Sequence, residues 1–186
     1  MRTSSTEIKE LMIAWIAISF AFGVGFFRFS YQGVVISFLT IGVAFVFHEL
    51  AHKLVAQHYG CWAEFRMNTT MLILMVMIAF AGIVFAAPGA VMIHGFVTKK
   101  QNGKISLAGP LTNIVLAFSF FPLTLFGGVL HGVGVLGVRI NLWIALFNLI
   151  PFGPLDGRKV LEWDKRVYLT TLIVAATAFL FSMLIL

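Results

Sequence analysis

Charge is what this chain has least of: 11% of its 186 residues are Asp, Glu, Lys or Arg, and only seven are acidic. That is less than half the share a soluble domain carries, which excludes an ordinary solvated globule. Cysteine is almost absent. Cys61 stands alone, so an intrachain disulfide is impossible and cysteine usage says nothing of the redox compartment. The chain also lacks an internal repeat, a low-complexity linker and any composition shift that would mark a domain boundary. What fills it instead is apolar, with 60% hydrophobic residues, 20 phenylalanines and a mean hydropathy of +1.00. Residues 1–186 therefore read as a single membrane-embedded domain, too small to hold a bundle and a separate globular unit. The net charge of +6 does not indicate nucleic acid, because the basic residues are scattered through short loops.

Five stretches are apolar enough to cross a bilayer: Leu11 to Phe27, Gly33 to His58, Ile105 to Gly128, Leu136 to about Pro154, and Val167 to Leu186. The first is longer than a signal-peptide core and lacks a small-residue cleavage pattern, so it reads as a retained span. A sixth stretch, Met71 to Ala87, is ambiguous. If it does not cross and the N-terminus is cytoplasmic, 11 basic residues lie inside and two, Arg28 and Arg139, outside. If it crosses, the split becomes 5 inside and 8 outside. The positive-inside rule selects the first arrangement, in which Met71 to Ala87 is re-entrant or interfacial and the chain is a multi-pass protein of the cell membrane. Beyond Pro88-Gly89, the residues Ala90 to Thr98 read as a strand. Asn102-Gly103 then forms a two-residue turn into Lys104 to Leu107, which predicts a membrane-associated β-hairpin. Gly109-Pro110 is predicted to open the next helix. The fold class is thus an all-α polytopic membrane protein of about five transmembrane helices, with one re-entrant or interfacial segment and a small hairpin. Trp15, Trp62, Trp143 and Trp163 fit interfacial anchors.

The chemistry is concentrated in Phe47-His48-Glu49-Leu50-Ala51-His52. Histidines four residues apart share a helix face, where both imidazoles can reach one metal ion, and Glu49 lies beside them to handle the proton of a metal-activated water. The preceding 15 residues, Gly33 to Phe47, contain no charge. An ionisable group at bilayer depth costs roughly 2.5–3.5 kcal/mol, so three together indicate a working site rather than helix-to-helix glue. A catalytic zinc needs a third protein ligand. Asp156, in Pro154-Leu155-Asp156-Gly157, is the candidate, since the other carboxylates are terminal, in polar loops, or Glu49 itself. The second and fourth spans run in the same direction in the 11-to-2 topology, so His48, His52 and Asp156 share a depth toward the cytoplasmic side. The bland alternative for Asp156 is a turn residue of an Asp-Gly pair. His58, His94 and His131 read as ordinary loop or interfacial residues.

Three motifs in order, His48-Glu49-Leu50-Ala51-His52, Gly109-Pro110-Leu111-Thr112-Asn113 and Asn148-Leu149-Ile150-Pro151-Phe152-Gly153-Pro154-Leu155-Asp156-Gly157, make the chain resemble the site-2 protease family of intramembrane zinc metalloproteases. The resemblance covers about residues 33–160. It implies one catalytic Zn2+ on His48, His52 and Asp156, Glu49 as acid/base, and Asn148 as a polar group beside the substrate. It also implies a transmembrane protein or peptide substrate whose backbone pairs with the hairpin. Many members carry a PDZ or CBS domain, for which this chain has no room. Asn113 reads as a brace between helices. Two rival readings are a membrane metal-binding protein or transporter, which should spread its ligands over several depths, and a catalytically inactive relative, against which Glu49 argues.

Overall fold

The computed structural model describes residues 2–28, 30–84 and 88–186. Its helices are α1 (Ser5–Phe27), α2 (Tyr31–Ser37), α3 (Val43–His58), α4 (Thr69–Ala79), α5 (Lys99–Phe120), α6 (Gly128–Asn148), α7 (Asp156–Trp163) and α8 (Lys165–Ile185). Two strands, β1 (Trp62–Met67) and β2 (Gly89–His94), form one antiparallel sheet. A π-helical segment, Phe38–Gly42, joins α2 to α3, so that Tyr31–His58 is one apolar rod. Its loosened turn is served by Trp15, whose ring stacks on Phe38 and whose Nε1 donates to the Phe38 carbonyl at 3.0 Å. Trp15 thus braces the π-helical turn.

Among the described residues, five helical rods are long and apolar enough to span a membrane: Ser5–Phe27, Tyr31–His58, Lys99–Leu125, Gly128–Asn148 and Lys165–Ile185. They match the five expected spans, with shifted ends. Among the described residues of the ambiguous sixth stretch, the helix is α4, whose 11 residues run about 16 Å, too short a helix to cross by itself. Asn68 caps its start by accepting from Met71 N. Residues 85–87, the end of that stretch, lie outside the described residues.

Two expectations are corrected. The strand β2 does not turn back at Asn102-Gly103; its partner is β1, far upstream, in the register Trp62↔His94 through Met67↔Gly89. Thr98 and Gln101 form a reciprocal capping box that starts α5 at Lys99, and Asn102-Gly103 lies inside that helix. Gly103 serves close packing there, since a Cβ would collide with the Trp163 ring. Gly109-Pro110 likewise does not open a helix but sits in the middle of α5.

The sheet is tied to α1 by carboxylates. Glu7 accepts from Phe65 N at 3.0 Å and Glu10 from Met67 N at 2.9 Å. Glu7 also pairs with Lys53 of α3, which donates to Thr3 Oγ1 as well. Both charged side chains are completely buried, so each depends on the other. Apolar packing around Leu11, Ile18, Ile41, Phe45 and Phe65 fills the space between α1, the π segment, α3 and the sheet. A second cluster, around Ile114, Leu142 and Leu149, joins α5, α6 and α8.

Candidate metal centre

His48 and His52 project one turn apart from α3, and Asp156 is the first residue of α7. The short connection from α6 brings Asp156 there. Its turns are closed by Ile150 N to Phe147 O and Leu155 N to Phe152 O, with Gly153 in the left-handed region at φ +60°. Gly157 lets this turn pack against the Leu149 carbonyl, where a Cβ has no room. Asp156 is thus a buried helix-opening residue aimed at α3, not a solvated turn residue.

The three side chains meet. Nε2 of His48 and Nε2 of His52 are 3.0 Å apart, and Asp156 Oδ2 lies 3.3 Å from the first and 3.1 Å from the second. All three residues are buried. Burial alone would raise the Asp156 carboxyl, but the positive charge and hydrogen bonds that His52 and His48 offer when protonated outweigh it and hold that group well below the usual carboxylate range.

The far sides of the rings determine what those three atoms can be. His52 Nδ1 lies 2.7 Å from the Ile105 carbonyl oxygen, which can only accept, so Nδ1 carries the proton. His48 Nδ1 lies 2.6 Å from Asn113 Oδ1. The Asn113 amide is oriented by its two donations, to Ala44 O at 3.1 Å and to Asn141 Oδ1 at 2.9 Å. Asn141 is oriented in turn by donating to Gly137 O at 2.8 Å. His48 therefore also donates from Nδ1. In the neutral imidazoles both Nε2 atoms are bare lone pairs, facing each other and a carboxylate oxygen. A cation between them satisfies all three. A tetrahedral zinc with bonds of about 2.0–2.1 Å sets its donors about 3.3 Å apart, close to the observed separations. The donor set, two imidazoles and a carboxylate, is that of a catalytic zinc site with one open position, and the residues fit the ion.

Gly109 makes room above the site. A Cβ there would stand 2.5 Å from His52 Nε2 and 2.6 Å from His48 Nε2. Glu49 points to the sheet, where its Oε2 accepts from Val91 N at 3.0 Å. Asn148 is not brought into hydrogen bonding with the three ligand atoms; its amide donates to Ile144 O at 3.0 Å. Sequence reasoning did not single out Asn141, although a polar residue within an apolar span is a signal for it. The pairing of Glu7 with Lys53 had no such signal.

Comparison with known proteins places these features in a set of relatives. The chain is 45% identical over 172 residues to MJ0611 of Methanocaldococcus jannaschii, a match that covers 90% of this chain and 89% of that protein, whose name assigns it provisionally as a zinc metalloprotease. YwhC of Bacillus subtilis, provisionally named in the same way, is 31% identical over 149 residues, covering 67% of this chain and 66% of its own. The protein named zinc metalloprotease MJ0392, also from Methanocaldococcus jannaschii, is 29% identical over 128 residues, which are 67% of this chain but 33% of that longer one. No protein-family model matches the chain. No solved structure matches it either.

Proposed function

Because the chain belongs to the site-2 protease-like family of zinc metalloproteases, we propose that it hydrolyses peptide bonds within or near transmembrane segments of membrane-protein substrates. One observation carries this reading: His48, His52 and Asp156 converge three lone pairs within 3.0–3.3 Å inside a bundle of membrane-length helices. His48, His52 and Asp156 would hold one zinc ion, with Asn113 and the Ile105 carbonyl keeping Nε2 of each ring free to bind it. When bound, zinc polarises a carbonyl and lowers the pKa of water toward neutrality.

Glu49, next to His48, takes the proton of the attacking water and returns it to the leaving amine. Asn148 gives one amide hydrogen to Ile144 and keeps the other for a substrate backbone. A transmembrane helix hides its carbonyls in hydrogen bonds, so the substrate must unwind, and strand addition at the sheet supplies replacement partners. The 11-to-2 distribution of basic residues orients the site toward the cytoplasmic side of the cell membrane. The antiparallel pairing of Met67 with Gly89 supports the same topology, because the segment between them leaves and returns at one level, as a re-entrant or interfacial element does.

The test is cleavage of a panel of single-span proteins by the purified enzyme in detergent, with and without chelator. Wild type should cut, chelation should stop it, and Glu49→Gln should abolish cleavage while keeping one zinc per chain, because Glu49 handles protons and does not bind metal. Cleavage retained by that variant would overturn the mechanism.

A further inference from the structure

In an antiparallel pair, residues directly opposite one another either exchange hydrogen bonds or both turn their polar groups outward. Phe65 and Val91 are opposite, and both turn outward: Phe65 N to Glu7 and Val91 N to Glu49. The two outer edges of the sheet are treated differently. Along β1, the Ala63 carbonyl accepts from Gln57, Phe65 N donates to Glu7, the Phe65 carbonyl accepts from Arg66, and Met67 N donates to Glu10. That edge is closed. Along β2, among the described residues, the one outward hydrogen bond is that of Val91 N to Glu49. A strand can pair only at the second edge, and its first obstacle there is the acid/base itself.

We propose that Glu49 and the Val91 N–H form a resting latch that an incoming peptide strand opens: a backbone carbonyl of the substrate takes the Val91 N–H and releases the Glu49 carboxylate to the reaction. This rests on the protease reading above and adds to it an order of events. Glu49 is engaged with the sheet until an extended backbone occupies β2, so proton transfer is coupled to strand docking, and an unfilled site keeps its base tied. The exchange conserves hydrogen bonds, since Val91 N trades one acceptor for another and the carboxylate goes from a backbone donor to the attacking water. It involves backbone atoms of the peptide alone and so sets no side-chain requirement.

Competition between the latch and the peptide can be measured without turnover. Glu49→Gln keeps an acceptor for Val91 N, Glu49→Ala removes it, and neither cleaves. A fluorescent single-span peptide from the cleavage panel, titrated in detergent, should bind Glu49→Ala about 3- to 10-fold more tightly than Glu49→Gln. Val91→Pro deletes the shared N–H at an outward-facing edge position, where proline is tolerated, and in that background the two Glu49 variants should bind alike. Amide hydrogen exchange gives a second readout. Val91 should exchange slowly in Glu49→Gln, fast in Glu49→Ala, and slowly again in Glu49→Ala with peptide bound. Equal binding by Glu49→Ala and Glu49→Gln, a difference that persists in Val91→Pro, or no peptide binding at all would overturn the latch. Cleavage by wild type in the same panel decides separately whether the protease reading stands.

Discussion

An imidazole can bind a metal only through a nitrogen that has no proton, and in this chain the choice of nitrogen is made by groups that never touch the ion. The Ile105 carbonyl, by accepting, keeps the proton of His52 on Nδ1, and a relay from the Gly137 carbonyl through Asn141 and Asn113 does the same for His48. Asn113→Ala should therefore weaken zinc binding about 10- to 100-fold without changing the ligands, measured by competition with a chelator of known affinity. Asp156→Ala should lose the metal, because two imidazoles remain, and Asp156→Asn should be nearly as damaging, since a neutral amide is a poor zinc ligand. Metal analysis reads both, and full occupancy in each would return Asp156 to a structural role. The spacing of His48, Glu49 and His52 was legible because helix geometry converts four residues into one face. Asn113 was legible as a brace, but its hydrogen bond to His48 crosses 65 residues and has no local sign.

At the scale of elements, close approach matters more than propensity. The helix α5 passes over both imidazoles at Gly109, and the nearest positions for a new methyl group are 2.5–2.6 Å from the nitrogens that face the site. Gly109→Ala should abolish zinc binding and cleavage together while far-UV circular dichroism keeps its helical signal, because alanine favours helix and only the site is obstructed. A variant that binds zinc normally would show that α5 can move away at little cost. The same logic explains the misread hairpin. Asn-Gly is a strong turn pair when strands flank it, yet Thr98 and Gln101 cap a helix just before it, and Gly103 is needed for contact with Trp163. Local turn preference yielded to a capping box and a helix-to-helix contact. The true partner of β2 was hidden because β1 lies across α4 in the chain, and pairing over that distance leaves no periodic signal.

For the molecule as a whole, the depth of the site and the side on which it opens follow from how many times the chain crosses. The helix α4 is too short to span, and the sheet pairs the two ends of the segment that contains it. Residues at the start of α4 and residues at the start of α5 should therefore face the same side. Asn68 and Gln101 both make capping hydrogen bonds, so Thr70 and Lys100, both exposed, are the better places for single cysteines in a Cys61→Ser background. A membrane-impermeant thiol reagent should label both in inverted vesicles and neither in intact cells. Labelling from opposite sides would break the topology.

By itself the sequence determined the apolar class of the chain, its five membrane-length stretches and the histidine pair with its glutamate, because each is written in composition, run length or spacing along one helix. It also pointed to Asp156, since a membrane reduces the question of which residues meet to one of depth. Only the tertiary structure decided which strands pair, that Glu7 and Lys53 neutralise one another in the interior, and that Asn141 orients Asn113. Those are contacts between elements distant in sequence, chosen by packing and by the need of every buried polar group for a partner, and neither leaves a period in the chain.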